Sequence, residues 1–283
     1  MSTSVLFDSP GPRTRQRHRL YSVLFTVVFV AVVGLVVWKL AEEGNFEAQL
    51  WEDLFAENVW SAILDGIQAT LTAAGIAIVC SVLLGALLVT GRVSDHWFFR
   101  WPATVVIEFF RAIPLLLLII FLFLFIGPDL GDSGNLIALV VGLTLYNGSV
   151  LAEVFRAGLN AVPKGQSEAA YAIGLRKTGV MTAVLAPQAV RYMLPAIISQ
   201  CVVVLKDTSL GFVVAYPELV REGKGIAEYV NNNLMTYLLI AVIYVAMNSV
   251  VALLATWLEA RIGQRGRGAA KQVHAAEEAL PMT

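Results

Sequence analysis

The sequence predicts an all-α integral membrane protein with five core helices and one additional N-terminal helix. Hydrophobic residues make up 58% of the chain and charged residues 14%, and the mean hydropathy is +0.72. A soluble domain carries roughly 25% charged residues on average. Because this chain has so few, most of its surface must face lipid rather than water. A soluble protein with a very large buried core is the alternative.

Six apolar stretches are long enough to cross a bilayer, which requires about 20 residues in a helix. They are residues 22–38, 62–90, 103–126, 136–157, 192–215 and 237–259. Pro114 falls inside the third stretch and predicts a kink there. The fifth stretch contains Lys206 and Asp207 with Gly211 soon after, so we expect it to be irregular or broken.

Basic residues lie unevenly between these stretches, and their placement predicts the orientation. With six spans, 15 of the 20 Lys and Arg residues fall on one side. They are Arg13, Arg15, Arg17, Arg19, Arg92, Arg100, Arg156, Lys164, Arg176, Lys177, Arg191, Arg261, Arg265, Arg267 and Lys271. This side is therefore predicted to be cytoplasmic, with both termini on it.

The opposite loops are acidic and present either a solvated face or a landing surface for an external protein. Their acidic residues are Glu42, Glu43, Glu47, Glu52, Asp53, Glu57, Glu218, Glu222 and Glu228.

The organisation along the chain follows from these features. Residues 1–61 comprise a basic tail, a first apolar helix and an acidic outer loop, and residues 62–260 form the membrane core. No small-residue cleavage pattern follows the first helix, so we interpret it as a retained helix rather than a signal peptide. Residues 1–20 and 266–283 lack apolar periodicity and are expected to be disordered. The second of these segments belongs to a basic cytoplasmic tail over residues 261–283.

The longest predicted cytoplasmic loop, residues 161–190, contains the most informative motif. Pro163 and Gly165 end the preceding helix, and Ser167 is placed to cap a new one from Glu168 to about Ile173. Gly174 can then stop it, because glycine readily adopts positive φ. Alanines and Ile173 would give this short helix a low-relief surface that another protein's groove could accept.

Glu168-Ala169-Ala170, followed after three residues by Gly174, resembles the EAA loop of ABC importer permeases. Nine residues separate Gly174 from the segment Val184–Pro187, which keeps the proline of the family pattern but not its leucine. Further elements resemble the polar amino acid branch of the family, and most of all the glutamate permease subunits. They are Phe110–Leu116, Ala152–Gly158, Val162–Gln166, Pro187–Ala189 and Leu205–Leu210.

The resemblance implies a type I ABC importer transmembrane domain in the bacterial cytoplasmic membrane, carrying a polar amino acid, with glutamate or aspartate favoured. Glutamine, arginine, histidine and cystine are the alternatives. It implies that Gln166, Ser167, Glu168, Ala169, Ala170 and Gly174 form the docking site for an ATPase. The expected partners are a second related permease, two ATP-binding subunits and an external amino-acid-binding protein, with no nucleic acid.

The chain itself contains no Gly-x4-Gly-Lys-Ser/Thr phosphate loop, so ATP and magnesium are expected on the separate ATPase. We therefore expect no cofactor and no enzymatic activity in this subunit.

Ionisable residues inside predicted spans are costly, about 2.5–3.5 kcal/mol each on insertion scales, and mark candidate sites. Glu108 and Arg111, and likewise Glu153 and Arg156, are three residues apart and can pair on one helical face. They are either structural ion pairs or part of a substrate pathway. The residues we assign to that pathway are Arg111, Pro114, Glu153, Lys206, Asp207, Thr208 and Ser209.

Two other classes of membrane protein compete with this interpretation. An ion-coupled secondary transporter would also hold charges in its spans, but no inverted repeat is visible. A membrane-embedded enzyme needs clustered catalytic groups, whereas His18, His96 and His274 all lie outside the six stretches.

Overall fold

The computed structural model describes residues 11–278, and every regular element in that range is helical. The helices are α1 Pro12–Glu42, α2 Ala48–Leu54, α3 Glu57–Arg92, α4 Trp97–Ala112, α5 Leu115–Ile126, α6 Gly134–Asn160, α7 Lys164–Ala172, α8 Lys177–Gly179, α9 Ala186–Asp207, α10 Leu219–Tyr229 and α11 Asn233–Glu278. The chain divides into two compact units, Met1–Ala56 and Glu57–Thr283.

Five helices of the described range are long and apolar enough to cross a membrane, and the bent pair α4–α5 supplies a sixth span if it counts as one. The six predicted apolar stretches coincide with these segments. In the first unit, α1 carries exposed apolar side chains from Leu20 to Trp38. A helix that is apolar all round and exposed fits lipid.

Helices extend into both terminal segments of the described range. Helix α1 begins at Pro12, a residue type that is common in the first helical turn. Helix α11 continues to Glu278. Residues 268–278 are mostly Ala, Lys, Gln and Glu, which are strong helix formers and favour continuation of α11. Residues 1–10 and 279–283 lie outside the described range.

The third predicted span is broken rather than continuous. Helices α4 and α5 meet at a bend of 102°. Ile113, which precedes Pro114, adopts φ −80° and ψ 133°, because a proline ring disfavours the helical conformation of the residue before it. The kink predicted at Pro114 is confirmed, but the single helix over 103–126 was wrong.

The fifth predicted span, 192–215, is irregular at its C-terminal end, as expected, and a second irregularity, which was not predicted, lies before it. A π-helical stretch, Val180–Leu185, precedes α9, and a 3₁₀ turn, Thr208–Val214, follows it. The turn ends at Ala215, whose φ is +57°. The regular helix therefore stops at Asp207, the second residue of the Lys206–Asp207 pair.

The core forms where α3 and α6 cross, with side chains of α5 and α9 beside them. Its buried members include Ala73, Ala77, Ile119, Leu143 and Val204.

Close approach of backbones in this core requires glycine at Gly85. A Cβ there would lie 2.9 Å from Leu151 Cβ and 3.0 Å from the carbonyl oxygen of Gly148. A Cβ at Gly66 would likewise lie 2.9 Å from Leu219 Cα in α10. Gly66 and Gly85 therefore permit close helix contact. At Gly75, by contrast, a Cβ would meet nothing within 4 Å.

Candidate functional site

The loop after α6 folds into the short helix α7, but this helix begins earlier than predicted. Pro163 occupies the N-cap position and Lys164 is the first helical residue, because a proline with φ −55° is already set for helix entry. Ser167 therefore lies inside the helix. Its hydroxyl donates to the carbonyl of Lys164 at 2.8 Å, so the prediction that Ser167 caps the helix was wrong.

The end of α7 is where the sequence predicted it. Gly174 has φ +84°, its N–H donates to the carbonyl of Tyr171 at 2.9 Å, and Leu175 N–H donates to that of Ala170 at 3.2 Å. These two bonds make a Schellman motif, which satisfies carbonyls that the helix end would leave without partners. The motif fixes the direction in which the chain leaves α7.

One alanine of the motif faces inward. Ala170 is 4% exposed, whereas Glu168 and Ala169 are exposed and Ile173 is 80% exposed. The expected low-relief surface is therefore made by Ala169, Ala172 and Ile173 without Ala170. Ala170 therefore packs against the rest of the protein, whereas Ala169 and Ala172 leave the outer face of α7 exposed.

Two contacts tie this loop to other parts of the fold. Gln188 of α9 donates to Gln166 Oε1 at 3.2 Å. Lys177 donates to the carbonyl of Val93 at 3.3 Å and pairs with Asp95 in the turn between α3 and α4. The hydrogen bond from Lys177 lowers the pKa of Asp95 below its ordinary value.

Five charged side chains from three helices form a row of alternating sign, which we call the charge chain. Its members are Arg111 and Glu108 of α4, Arg92 of α3, and Glu153 and Arg156 of α6. Both pairs predicted from three-residue spacing are present, at 3.6 Å for Glu108–Arg111 and 2.7 Å for Glu153–Arg156.

Arg92 joins these two pairs and was not predicted. Its Nη2 donates to Glu108 Oε1 at 3.0 Å. Its Nε lies 3.0 Å from Glu153 Oε1, as an ion pair without the alignment of a hydrogen bond. The sequence holds no local signal for this contact, because Arg92 lies in a different helix from both carboxylates.

The four predicted pathway residues at the end of α9 differ in exposure. Lys206 is exposed and Asp207 is half-buried, and neither forms an ion pair with another described residue. The hydroxyls of Thr208 and Ser209 donate to the carbonyls of Leu205 and Lys206 at 2.6 and 2.8 Å. Of the four, Lys206 is the most open to a ligand, whereas Thr208 is fully buried.

Comparison with known proteins assigns the family. Residues 77–264 match the family described as "Binding-protein-dependent transport system inner membrane component". The chain belongs to this family. The permease is thus a multi-pass subunit of an ABC importer in the inner membrane, and it is a transport component rather than an enzyme.

Curated relatives and solved structures agree with this assignment. The permease is 39% identical to a glutamate transport system permease protein of Corynebacterium glutamicum over 79% of this chain and 83% of that one. It is 36% identical to a probable glutamine ABC transporter permease of Bacillus subtilis over 70% and 92% of the two chains. It also resembles the crystal structure of an amino acid ABC transporter with histidines, with a TM-score of 0.68 and 27% identity over 72% and 95%. The fold is that of type I ABC importer transmembrane domains.

Two polar clusters of the permease were missed by sequence reasoning. Asn147, which is fully buried in α6, accepts a hydrogen bond from Gln200 Nε2 of α9 at 2.6 Å and donates to the carbonyl of Leu143. Such an amide pair joins two helices where water is absent. Neither residue is charged or part of a motif, so nothing in the sequence marked them.

Glu218 was counted among the acidic residues of the outer surface, but it is fully buried. Its carboxylate caps α10 by accepting from the N–H groups of Val220 and Arg221, both at 2.9 Å, and it accepts from the hydroxyl of Tyr244 at 2.7 Å. Burial raises the pKa of Glu218. The role of this residue is therefore structural capping rather than contact with an external protein.

Proposed function

We propose that this permease imports a polar amino acid, glutamate or aspartate, and that a separate ATPase drives it through α7. The 39% identity to a glutamate permease over most of both chains carries the choice of substrate. A second relative, the glutamate/aspartate import permease GltK of Escherichia coli, is 30% identical over 71% of this chain. The 36% identical glutamine permease makes glutamine the main alternative, ahead of arginine, histidine and cystine.

The docking surface proposed for the ATPase is α7 with its C-terminal turn, from Gln166 to Gly174. Its exposed face combines the small residues Ala169, Ala172 and Gly174 with the larger side chains of Gln166, Glu168, Tyr171 and Ile173. The Schellman motif holds its end rigid. A rigid element transmits a displacement that a flexible loop would absorb. Contacts of Gln166 with α9 and of Lys177 with the α3–α4 turn would carry this displacement into the spans.

In the proposed complex, this chain pairs with a second related permease, forming a heterodimer, and two ATPase subunits bind the side that carries α7. ATP and magnesium bind to those subunits. An external binding protein delivers the amino acid to the opposite, acidic side, and both termini of the permease are cytoplasmic. ATP binding closes the ATPase pair and shifts the permease between outward and inward access.

The proposed pathway uses the residues that lie at interruptions of the spans. Arg111 and Pro114 flank the α4–α5 break, and Lys206 with Asp207 ends α9 before the 3₁₀ turn. Broken helices supply backbone groups and open space for a zwitterionic ligand. Glu153 contributes through the charge chain, and Thr208 and Ser209 shape the turn.

Uptake of labelled L-glutamate in cells that lack or express this gene tests the substrate. We expect deletion to remove most of the saturable uptake and expression of the gene to restore it. Excess unlabelled aspartate should compete, and glutamine, arginine, histidine and cystine should compete less. Uptake that glutamine suppresses fully and aspartate does not would contradict glutamate as the substrate and favour glutamine.

A further inference from the structure

We propose that Arg92 is a positioning residue for substrate binding, because its hydrogen bond orients Glu108 and leaves the hydrogen-bond donors of the Arg111 guanidinium free for a substrate carboxylate. This inference rests on the proposed transport of an amino acid, and it assigns a role to a residue outside the pathway itself. The charge chain runs from a fixed end on α6 to an open end on α4.

The end on α6 is held by Arg156. Its Nε and Nη2 both donate to Glu153 Oε2, at 3.0 and 2.7 Å. The second carboxylate oxygen, Oε1, lies 3.0 Å from Arg92 Nε. Side chains of Glu153 and Arg92 are only 17% and 16% exposed. A buried carboxylate with cations on both oxygens holds them strongly, so Arg92 has little freedom to move.

From this position Arg92 reaches Glu108. The hydrogen bond from Arg92 Nη2 to Glu108 Oε1 is 3.0 Å long, whereas the distance from Arg111 Nη1 to Glu108 Oε2 is 3.6 Å. A separation of 3.6 Å is an ion pair but not a hydrogen bond. The carboxylate is thus oriented by Arg92, although Arg111 is its neighbour on the same helix.

Arg111 consequently keeps its hydrogen-bond donors. No hydrogen bond joins its guanidinium to another residue in the described part of the chain, and its side chain is 40% exposed. An arginine presents five N–H donors in a planar fork that matches a carboxylate. The open end of the charge chain is therefore a cation with unused capacity for an anionic group.

The surroundings of Arg111 suit the rest of an amino acid. It is in the last turn of α4, which stops at the break before Pro114. Carbonyls of a last helical turn have no partners inside the helix and carry partial negative charge. They can accept an ammonium group, as the ends of broken helices do in other transporters. One end of a zwitterion would bind Arg111 and the other the end of α4.

Loss of Arg92 should reverse this arrangement. Glu108 would then retain a single ion-pair partner, Arg111, three residues away on α4, and opposite charges at this spacing attract each other on one helical face. It would occupy the Arg111 donors in competition with the substrate. Glu153 would remain paired with Arg156. Removing the charge of Glu108 as well should therefore free Arg111 again.

Equilibrium binding of labelled L-glutamate to the complete transporter in lipid nanodiscs, without the binding protein, tests this role. We expect Arg92→Gln to weaken binding at least about tenfold, the effect of losing one charge-assisted contact. The double variant Arg92→Gln/Glu108→Gln should bind within about twofold of wild type. Arg100→Gln, which removes an exposed arginine of α4 outside the charge chain, is the control and should leave binding unchanged.

Thermal unfolding of the same samples separates positioning from packing. If Arg92 only held helices together, the melting temperature would fall and the second substitution would not recover glutamate affinity. Unchanged binding in Arg92→Gln, or equal weakness of the single and double variants, would overturn the inference. So would a wild-type transporter that imports glutamate yet binds none in this assay. Absence of glutamate uptake by wild type would instead contradict the proposed function.

Discussion

Replacing Glu168 with arginine should reduce uptake by at least about tenfold while the permease still inserts in the membrane. Glu168 is the only charged residue between Gln166 and Gly174 and is exposed on α7. Reversing a charge in the centre of a docking surface commonly reduces the binding free energy by about 2 kcal/mol, which raises the dissociation constant roughly thirtyfold. The ATPase subunit retained when the permease is purified, together with labelled glutamate uptake, measures the effect.

Glu228→Arg is the matched control for this substitution. Glu228 is an exposed glutamate of α10, on the side predicted to face away from the ATPase. ATPase retention should be unchanged in that variant. If Glu168→Arg retained the ATPase and full uptake, α7 would not be the coupling element.

Replacing Gly85 with leucine should prevent the permease from folding into a stable core. A Cβ at this position would approach Leu151 Cβ to 2.9 Å and the Gly148 carbonyl to 3.0 Å. The backbone of α6 cannot make room for this side chain unless α3 and α6 move apart. Overpacking of this kind lowers the free energy of unfolding by about 1–3 kcal/mol or more. Thermal unfolding of the purified protein, and its yield in the membrane fraction, report the loss.

Gly75→Leu provides the comparison within the same helix. Gly75 is exposed and a Cβ there meets nothing within 4 Å, so leucine should be tolerated and, facing lipid, should change stability little. Equal melting temperatures for the Gly75 and Gly85 variants would contradict the packing of α3 on α6. A large fall in melting temperature for Gly75→Leu alone would indicate that another helix packs against the Gly75 face of α3.

These two glycines show what the sequence could and could not predict about the fold. Both lie in the same apolar stretch, and composition alone predicts close helix contact at each. They are ten residues apart, so they point to different faces of a helix with 3.6 residues per turn. Which face meets α6 depends on tertiary packing, and no local pattern contains that information.

Local chemistry predicted the irregular points of the chain well. The break at Pro114 follows from the missing N–H and the restricted residue before it, and the end of α7 follows from Gly174. The 102° angle between α4 and α5 does not follow from Pro114, since a proline permits a range of kinks. Packing of both helices against α6 sets the angle.

Long-range polar contacts escaped prediction for the same reason. Arg92 was visible only as one basic residue at the end of a span, yet it joins Glu108 to Glu153. Glu218 was assigned to the outer surface because it lies in a loop on the outer side of the predicted topology, but it caps α10 from a fully buried position. A carboxylate's role depends on the donors that the fold brings to it.

A site-specific cross-link between α7 and the ATPase tests whether α7 is the coupling element. Cys80 and Cys201, the two cysteines of the chain, would be replaced by serine, and a single cysteine placed at exposed Ala169 would carry a photoactivated cross-linker. Tyr229, an exposed residue of α10, is the control site. We predict a permease–ATPase adduct from position 169 and none from position 229. An assembled transporter that gives no adduct at 169, or equal adducts at both sites, would contradict coupling through α7.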